Sequence, residues 1–300
     1  MKVSIVTVNR NDAAGLRATL ESTFEGQSDF NDWEQIVVDG ASTDGSKNTL
    51  VPYLGNPHLG WTISEPDTGV YNAMNKGAAH ARGDYLLFLN AGDTLLPGIL
   101  GRVFKESLDA DIAYGDILAS RNGHDTLWTS PEASAVVPAL FLFRSLPHPG
   151  SFISRNAFVE SGGYDEAFRI VSDAAFFLRL AGSGKARFRH LPFTIARFRF
   201  GGLSTDTRQD EAHRREREAM LAPVFGATVA HLAAFPSERR PWIRASLAAS
   251  ARRDPALAAA LLRTADLCAA LWRTRPGRTL LRGFTRLVER RESIIQNRCS

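Results

Sequence analysis

The sequence predicts an α/β protein: a Rossmann-like, mostly parallel mixed sheet flanked by helices, followed by a helical C-terminal extension. Three observations support this. Short, nearly continuous apolar runs recur at residues 3–8 (VSIVTV), 35–38 (QIVV), 61–63 (WTI) and 85–89 (YLLFL), as expected of strands covered on both faces. Helical patterns lie between them. The residues just after each run are polar or acidic, and strand carboxyl ends are where such sheets bind ligands.

The elements follow in order. Leu16, Leu20 and Phe24 mark a first helix behind an Asn11/Asp12 cap, and a second covers residues 43–53 after DGAST. Val70, Met74, Gly77, Ala78 and Ala81 repeat at helical spacing and stop at Gly83. Alternating strands and helices imply right-handed crossovers and parallel pairing. After residue 100 the pattern predicts a helix at 97–107, a strand at 111–117 and a long loop over 119–148. Beyond it come GSFISR, the helical SDAAFFLRLAG, the strand-like RFRHLPFTIARFRF and a loop, GGLSTD, from Gly201.

Composition narrows the class. With 300 residues, 44% of them hydrophobic, the chain can bury a full core. Its two cysteines, Cys268 and Cys299, suggest neither a disulfide framework nor a metal knuckle, which favours a reducing cytoplasm. The start of the chain lacks the long apolar stretch of a secretory signal. The most apolar window, 255–272, is broken by Arg263 and Asp266, so no bilayer span is expected. Net charge is +4, divided into −4 over residues 1–205 and +8 over the Arg-rich residues 206–300. A basic segment suits nucleic acid or an anionic membrane, and no nucleic-acid-binding signature accompanies it.

Six ordered motifs then carry a resemblance: VSIVTVNRN, QIVVDGASTDGS, SEPDTGVYNAMNKGAAHARGDYLLFLNAGD, HPGSFISR, SDAAFFLRL and GGLS. They resemble those of family 2 inverting glycosyltransferases of the GT-A fold, in particular bacterial enzymes of extracellular polysaccharide, colanic-acid-type or O-antigen assembly. The resemblance covers residues 1–205, which implies a glycosyltransferase domain there and a separate extension over 206–300.

Transfer of a sugar from a nucleoside diphosphate needs charge compensation on the leaving diphosphate, a base for the acceptor hydroxyl, and a held nucleotide. By resemblance, Thr7, Asn9, Arg10 and Asp39 line the nucleotide pocket. Asp39 would accept from a base N–H such as that of uracil, because a carboxylate offers acceptors only. Glu65 and Asp67 complete the base and ribose pocket, Asn75 and Lys76 follow on the next helix with Lys76 toward the diphosphate, and Asn90 and Ala91 adjoin the donor. Asp93 stands at the last position of the metal motif. Relatives carry more acids there, and Mg²⁺ or Mn²⁺ would need the donor phosphates to complete its shell.

The resemblance makes Asp173 the acceptor-activating base, with Ser172 available as a helix cap and Asp165 and Glu166 as the nearest rival carboxylates. His148, Gly202 and Ser204 fall where acceptor or phosphate contacts are expected, with GGLS as a closing loop. Arg278, Arg282, Arg286 and Arg290 line one stripe of a helix over 276–295. That helix suits either peripheral contact with an anionic surface at the inner face of the plasma membrane or packing and dimerisation. Two alternatives compete: a nucleotidyl transferase, which would carry a Gly-rich basic loop where VNRND stands, and a catalytically silent sugar-nucleotide-binding or scaffold protein.

Overall fold

The computed structural model describes residues 1–105, 107–133, 136, 145–202 and 210–225. Ser204 and residues 276–295 lie outside them. The chain divides into two compact units, one of residues 1–136 and 145–210, the other including 211–225.

In the first unit the expected parallel core is present. β1 (Val3–Asn9) lies between β2 (Trp33–Asp39) and β4 (Tyr85–Phe88), and β3 (Leu59–Ser64) extends the sheet beyond β2. β1 and β2 are buried at every position, which explains their unbroken apolar runs. The register sets Asn9 opposite Asp39, and Asp39 opposite Ser64, so the polar groups share one edge.

α1 (Ala13–Phe24) begins at Asp12, whose carboxylate accepts from Gly15 N, and it buries Leu16 and Leu20. The expected helix at 43–53 is a 3₁₀ helix over Ser46–Tyr53 instead. It contains Pro52, which has no N–H for an α-helical ladder. α2 (Val70–Ala79) packs closely on the sheet through Gly77, where a Cβ would run into Val6.

The rest of the sheet is mixed. β5 (Thr94–Leu95), α3 (Ile99–Val103), β6 (Ile112–Arg121), β7 (His124–Trp128), β8 (Ser151–Ser154), α4 (Arg155–Glu160), α5 (Ser172–Gly182) and β9 (Phe188–Arg199) follow in order. The strand order is β3-β2-β1-β4-β8-β6-β9-β5, with β7 on β6. The long loop expected from residue 119 is corrected at its start, because β6 runs on to Arg121 and returns as β7. Asn122 and Gly123 turn the hairpin with φ of 51° and 79°. Positive φ at both positions is what an Asn-Gly hairpin turn requires. In the second unit, α6 (Asp210–Phe225) carries ion pairs from Glu211 to Arg214 and Arg215.

One buried charge ties β2 to the segment before β4. Glu34 is 1% exposed and accepts from Ser4 Oγ at 2.6 Å, Arg82 N at 2.8 Å and the Arg82 guanidinium at 2.6 Å. Burial alone would raise its carboxyl, but these donors outweigh burial and hold it below its ordinary value of 4.5. A depressed carboxyl stabilises the fold above that value, and the stability is lost as pH falls through the folded-state value. Glu34→Gln is expected to lower stability at neutral pH by about 1–3 kcal/mol. Urea unfolding of the variant from about pH 5 to pH 3 should also show a shallower acid loss than that of the native chain.

Candidate active site

The site forms where β1, β2 and β4 end. Leu89 N and Ala91 N donate to Val6 O and Val8 O, carrying the pairing past β4. The chain then turns through Asn90–Asp93, with Asp93 N donating to Asn90 O at 2.9 Å. Gly92 has φ of +97°, the value that reserves the third position of such a turn for glycine. Thr19 of α1 holds this turn: its Oγ1 donates to Asp93 O at 2.7 Å and accepts from Gly92 N at 2.9 Å.

Arg199, at the end of β9, holds the turn from the other side. Its backbone N donates to Asp93 Oδ1 at 2.9 Å, and its guanidinium lies over Gly92 and pairs with Asp12. Asp93 is 3% exposed, and among the described residues its Oδ2 has no hydrogen-bond partner. It does not cap the following helix, whose N-cap is Gly98.

His148 lies between Asp93 and Asp173. Its Nε2 is 3.7 Å from Asp93 Oδ2 and its Nδ1 is 3.6 Å from Asp173 Oδ2. Burial opposes the imidazolium, but the two carboxylates outweigh it and raise His148 to about 9. The ring is therefore charged at neutral pH. The Asn90 amide lies 3.2 Å from Nε2 and satisfies the imidazolium proton when its oxygen faces the ring.

Asp173 sits in the first turn of α5. Its Oδ1 accepts from Ala174 N at 2.8 Å and from Tyr71 OH at 3.0 Å, leaving Oδ2 toward His148. Neither Ser172 nor Asp173 is the N-cap; that residue is Val171, and Ser172 Oγ is buried without a partner among the described residues. The rival carboxylates have structural partners: Asp165 accepts from Ala167 N, and Glu166 accepts from Asn72 and Asn75.

At the β2 end, Asp39 is surrounded by donors. Oδ1 accepts from Asn9 Nδ2 at 2.7 Å and Ser42 Oγ at 2.5 Å, and Oδ2 accepts from Ser42 N at 2.9 Å and Ser64 Oγ at 2.5 Å. Burial would raise this carboxyl, but the donors outweigh it and keep it low, hence ionised. A pocket of about 230 Å³ adjoins it, lined by Leu16, Ser46, Lys47, Leu50, Thr62, Ile63 and Ser64 as well as Asp39.

Other expected positions have different partners. Thr7 is fully buried within β1 and accepts from Gln35 Nε2 at 2.9 Å, which makes it a sheet-interior residue rather than a strand-end one. Asn75 fastens α2 to Tyr164 through both amide atoms, at 2.8 Å and 3.0 Å. Lys76 pairs with Glu65 at 2.7 Å, so its charge is compensated within the protein. Asp67 accepts from Gly69 N at 3.0 Å. Arg10 and Gly202 are exposed, and Ala91 O lies 3.4 Å from the Arg199 guanidinium.

Sequence reasoning missed Ser42, Ser64, Tyr71 and Arg199. The two serines adjoin the strand ends and could have been read from position. Tyr71 and Arg199 carry no local signal, because their partners lie 102 and 106 residues away in the chain.

Among the described residues, no three His, Cys, Asp or Glu side chains cluster in a way that could hold a metal. The donor set nonetheless fits a divalent cation bound together with a substrate. Asp93 offers one buried carboxylate oxygen without a partner, and Mg²⁺ commonly takes one or two carboxylates plus substrate phosphates.

A largely parallel sheet delivering polar groups to one edge is the architecture of GT-A glycosyltransferases, and solved structures share it. TarS 1-349 of S. aureus in complex with UDP superposes with a TM-score of 0.58 at 15% identity, over 90% of this chain and 89% of that one. The mannosyltransferase PcManGT from Pyrobaculum calidifontis, in complex with GDP-Man and Mn²⁺, gives 0.50 at 19% identity, over 93% and 82%. The profile of glycosyl transferase family 2 matches residues 4–176, and the chain belongs to that family.

Curated relatives agree. An uncharacterized glycosyltransferase of Mycobacterium tuberculosis is 34% identical over 187 residues, 60% of this chain and 68% of its own. A PGL/p-HBAD biosynthesis glycosyltransferase of Mycobacterium bovis is 32% identical over 209 residues, 67% and 78% of the two chains. Glycosyl transfer is the activity these findings support, and they do not favour a silent scaffold. No helix among the described residues is long and apolar enough to cross a membrane.

Gly92→Ala tests the Asp93 turn. A Cβ there meets the Arg199 guanidinium and sits at positive φ, so the expected outcome is a loss of about 1–3 kcal/mol. Thermal melting measures it, and Gly98→Ala, also at positive φ but away from Arg199, is the control for backbone strain alone.

Proposed function

We propose that the protein is an inverting glycosyltransferase that moves a sugar from a nucleoside diphosphate, preferably UDP, to a hydroxyl of a glycan or lipid-linked acceptor. The observation that supports this best is the convergence of Asp93, His148 and Asp173 at the carboxyl edge of the sheet. Residues 1–205 form the transferase domain and 206–300 an extension.

In this reading the base occupies the pocket beside Asp39. The Asp39 carboxylate supplies the acceptor for the N–H of uracil, and the Ser42 and Ser64 hydroxyls, which now donate to Asp39, are the groups that can turn to its carbonyls. Because four donors already saturate Asp39, a serine hydroxyl must turn away as the base N–H arrives.

The acceptor oxygen attacks the anomeric carbon on the face opposite the diphosphate. The bond from that carbon to the phosphate oxygen breaks, and its electron pair leaves with the nucleoside diphosphate. Asp173 Oδ2 takes the hydroxyl proton, and a single displacement inverts the configuration. Asp93 would hold Mg²⁺ or Mn²⁺, which supplies neutralisation of the charge developing on the diphosphate. His148 stands between the two carboxylates, its ring nitrogens 3.7 Å from Asp93 Oδ2 and 3.6 Å from Asp173 Oδ2. The setting is bacterial cell-surface polysaccharide assembly, where the basic segment 276–295 would suit an anionic membrane surface.

A thermal-shift screen of nucleoside diphosphates and their sugars tests donor and metal together. UDP with Mg²⁺ or Mn²⁺ should raise the melting temperature more than GDP, with dTDP, whose base carries the same edge, as the nearer competitor, and Asp93→Asn should remove the part that depends on the cation. No stabilisation by any nucleotide would overturn the reading. Asp173→Asn should keep nucleotide binding and lower transfer by about 10²–10⁴-fold, as measured by nucleotide release.

A further inference from the structure

The hydroxyl of Tyr71 makes two contacts with a single proton. It lies 2.8 Å from Ile170 O and 3.0 Å from Asp173 Oδ1, and both of those atoms are acceptors. A phenol donates once. Tyr71 is 6% exposed, in an edge-on contact with Tyr164 at 5.3 Å, so its hydroxyl has no bulk water to turn to. The carboxylate already receives Ala174 N on the same oxygen, which leaves Oδ2 as the atom on the His148 side.

We propose that Tyr71 is a positioning residue for Asp173, its one proton held by Asp173 Oδ1 while the carboxylate is ionised and passed to Ile170 O once Asp173 is protonated. This rests on the reading of Asp173 as the base. The geometry supplies both acceptors within hydrogen-bond distance, so the exchange needs only rotation about the phenol C–O bond. Donation to Oδ1 favours the carboxylate and fixes the plane in which Oδ2 takes the acceptor's proton. When that proton arrives on Oδ2, Oδ1 becomes the weaker acceptor and the backbone carbonyl the stronger. No atom is gained or lost. Burial and the Asp173 charge raise the phenol well above its ordinary value, so Tyr71 remains a neutral donor throughout. The other titratable groups facing Asp173 are His148, from the turn before β8, and Tyr164, whose buried hydroxyl is raised by burial and by the Asp173 charge.

The test measures the carboxyl of Asp173 directly. The full chain with ¹³Cγ-labelled aspartate is titrated in the presence of UDP and Mg²⁺, and the Asp173 resonance is assigned by its loss in Asp173→Asn. Tyr71→Phe removes the donor and little else, so Asp173 should titrate about one pH unit higher. Its nucleotide release should fall in kcat with donor KM within two-fold. Site-specific 3-fluorotyrosine at position 71, a stronger donor that keeps the ring, should move the titration the other way. An Asp173 titration unmoved in both proteins would overturn the role of Tyr71. The base reading fails separately, if Asp173→Asn still transfers sugar at the native rate.

Discussion

The hydrogen-bonded register of β1 between β2 and β4 is the constraint on which the site depends. Parallel strands in register end together, and here they end on Asn9, Asp39 and the Asn90–Asp93 turn. A slip of one residue in the β1–β2 pairing would part Asn9 from Asp39 and turn the side chains of the slipped strand to the other face. The interior therefore fixes the site: Val3, Ile5 and Leu87 share one fully buried cluster, while Gly77 lets α2 lie directly against Val6.

Upon that edge the protein balances charge in two ways. Asp39 is held as a carboxylate by four hydrogen-bond donors. Asp93 and Asp173 instead flank the His148 ring, each with its Oδ2 facing a ring nitrogen, and among the described residues Asp93 Oδ2 has no hydrogen bond. The first arrangement suits a neutral heterocycle that exchanges hydrogen bonds with the protein. The second suits a process in which charge changes place, because two carboxylates lie 3.7 Å and 3.6 Å from the nitrogens of one titratable ring.

Much of the fold was legible because its signals are local. Continuous apolar runs marked β1, β2 and β4, and the Asp12 cap marked α1. The helical pattern over 43–53 does not separate a 3₁₀ helix from an α-helix, and Pro52 is the local sign against the latter. The β6–β7 hairpin leaves little trace in the pattern because β7 is largely exposed and has no apolar alternation; its one local sign is the Asn122-Gly123 turn. In the site, Asp93, His148 and Asp173 were named from motifs alone. Their mutual distances came only from the fold, as did the diversion of Asn75 and Lys76 to other protein groups.

By itself the sequence determined the family, the parallel core and the residues that carry reactive groups, since each follows from short-range pattern or from ordered motifs. Only the tertiary structure decided that His148 stands between the two carboxylates, that Arg199 grips the Asp93 turn, and that Tyr71 reaches Asp173. These contacts join segments 25 to 106 residues apart, and such pairings are set by how helices and strands pack, which no local pattern encodes.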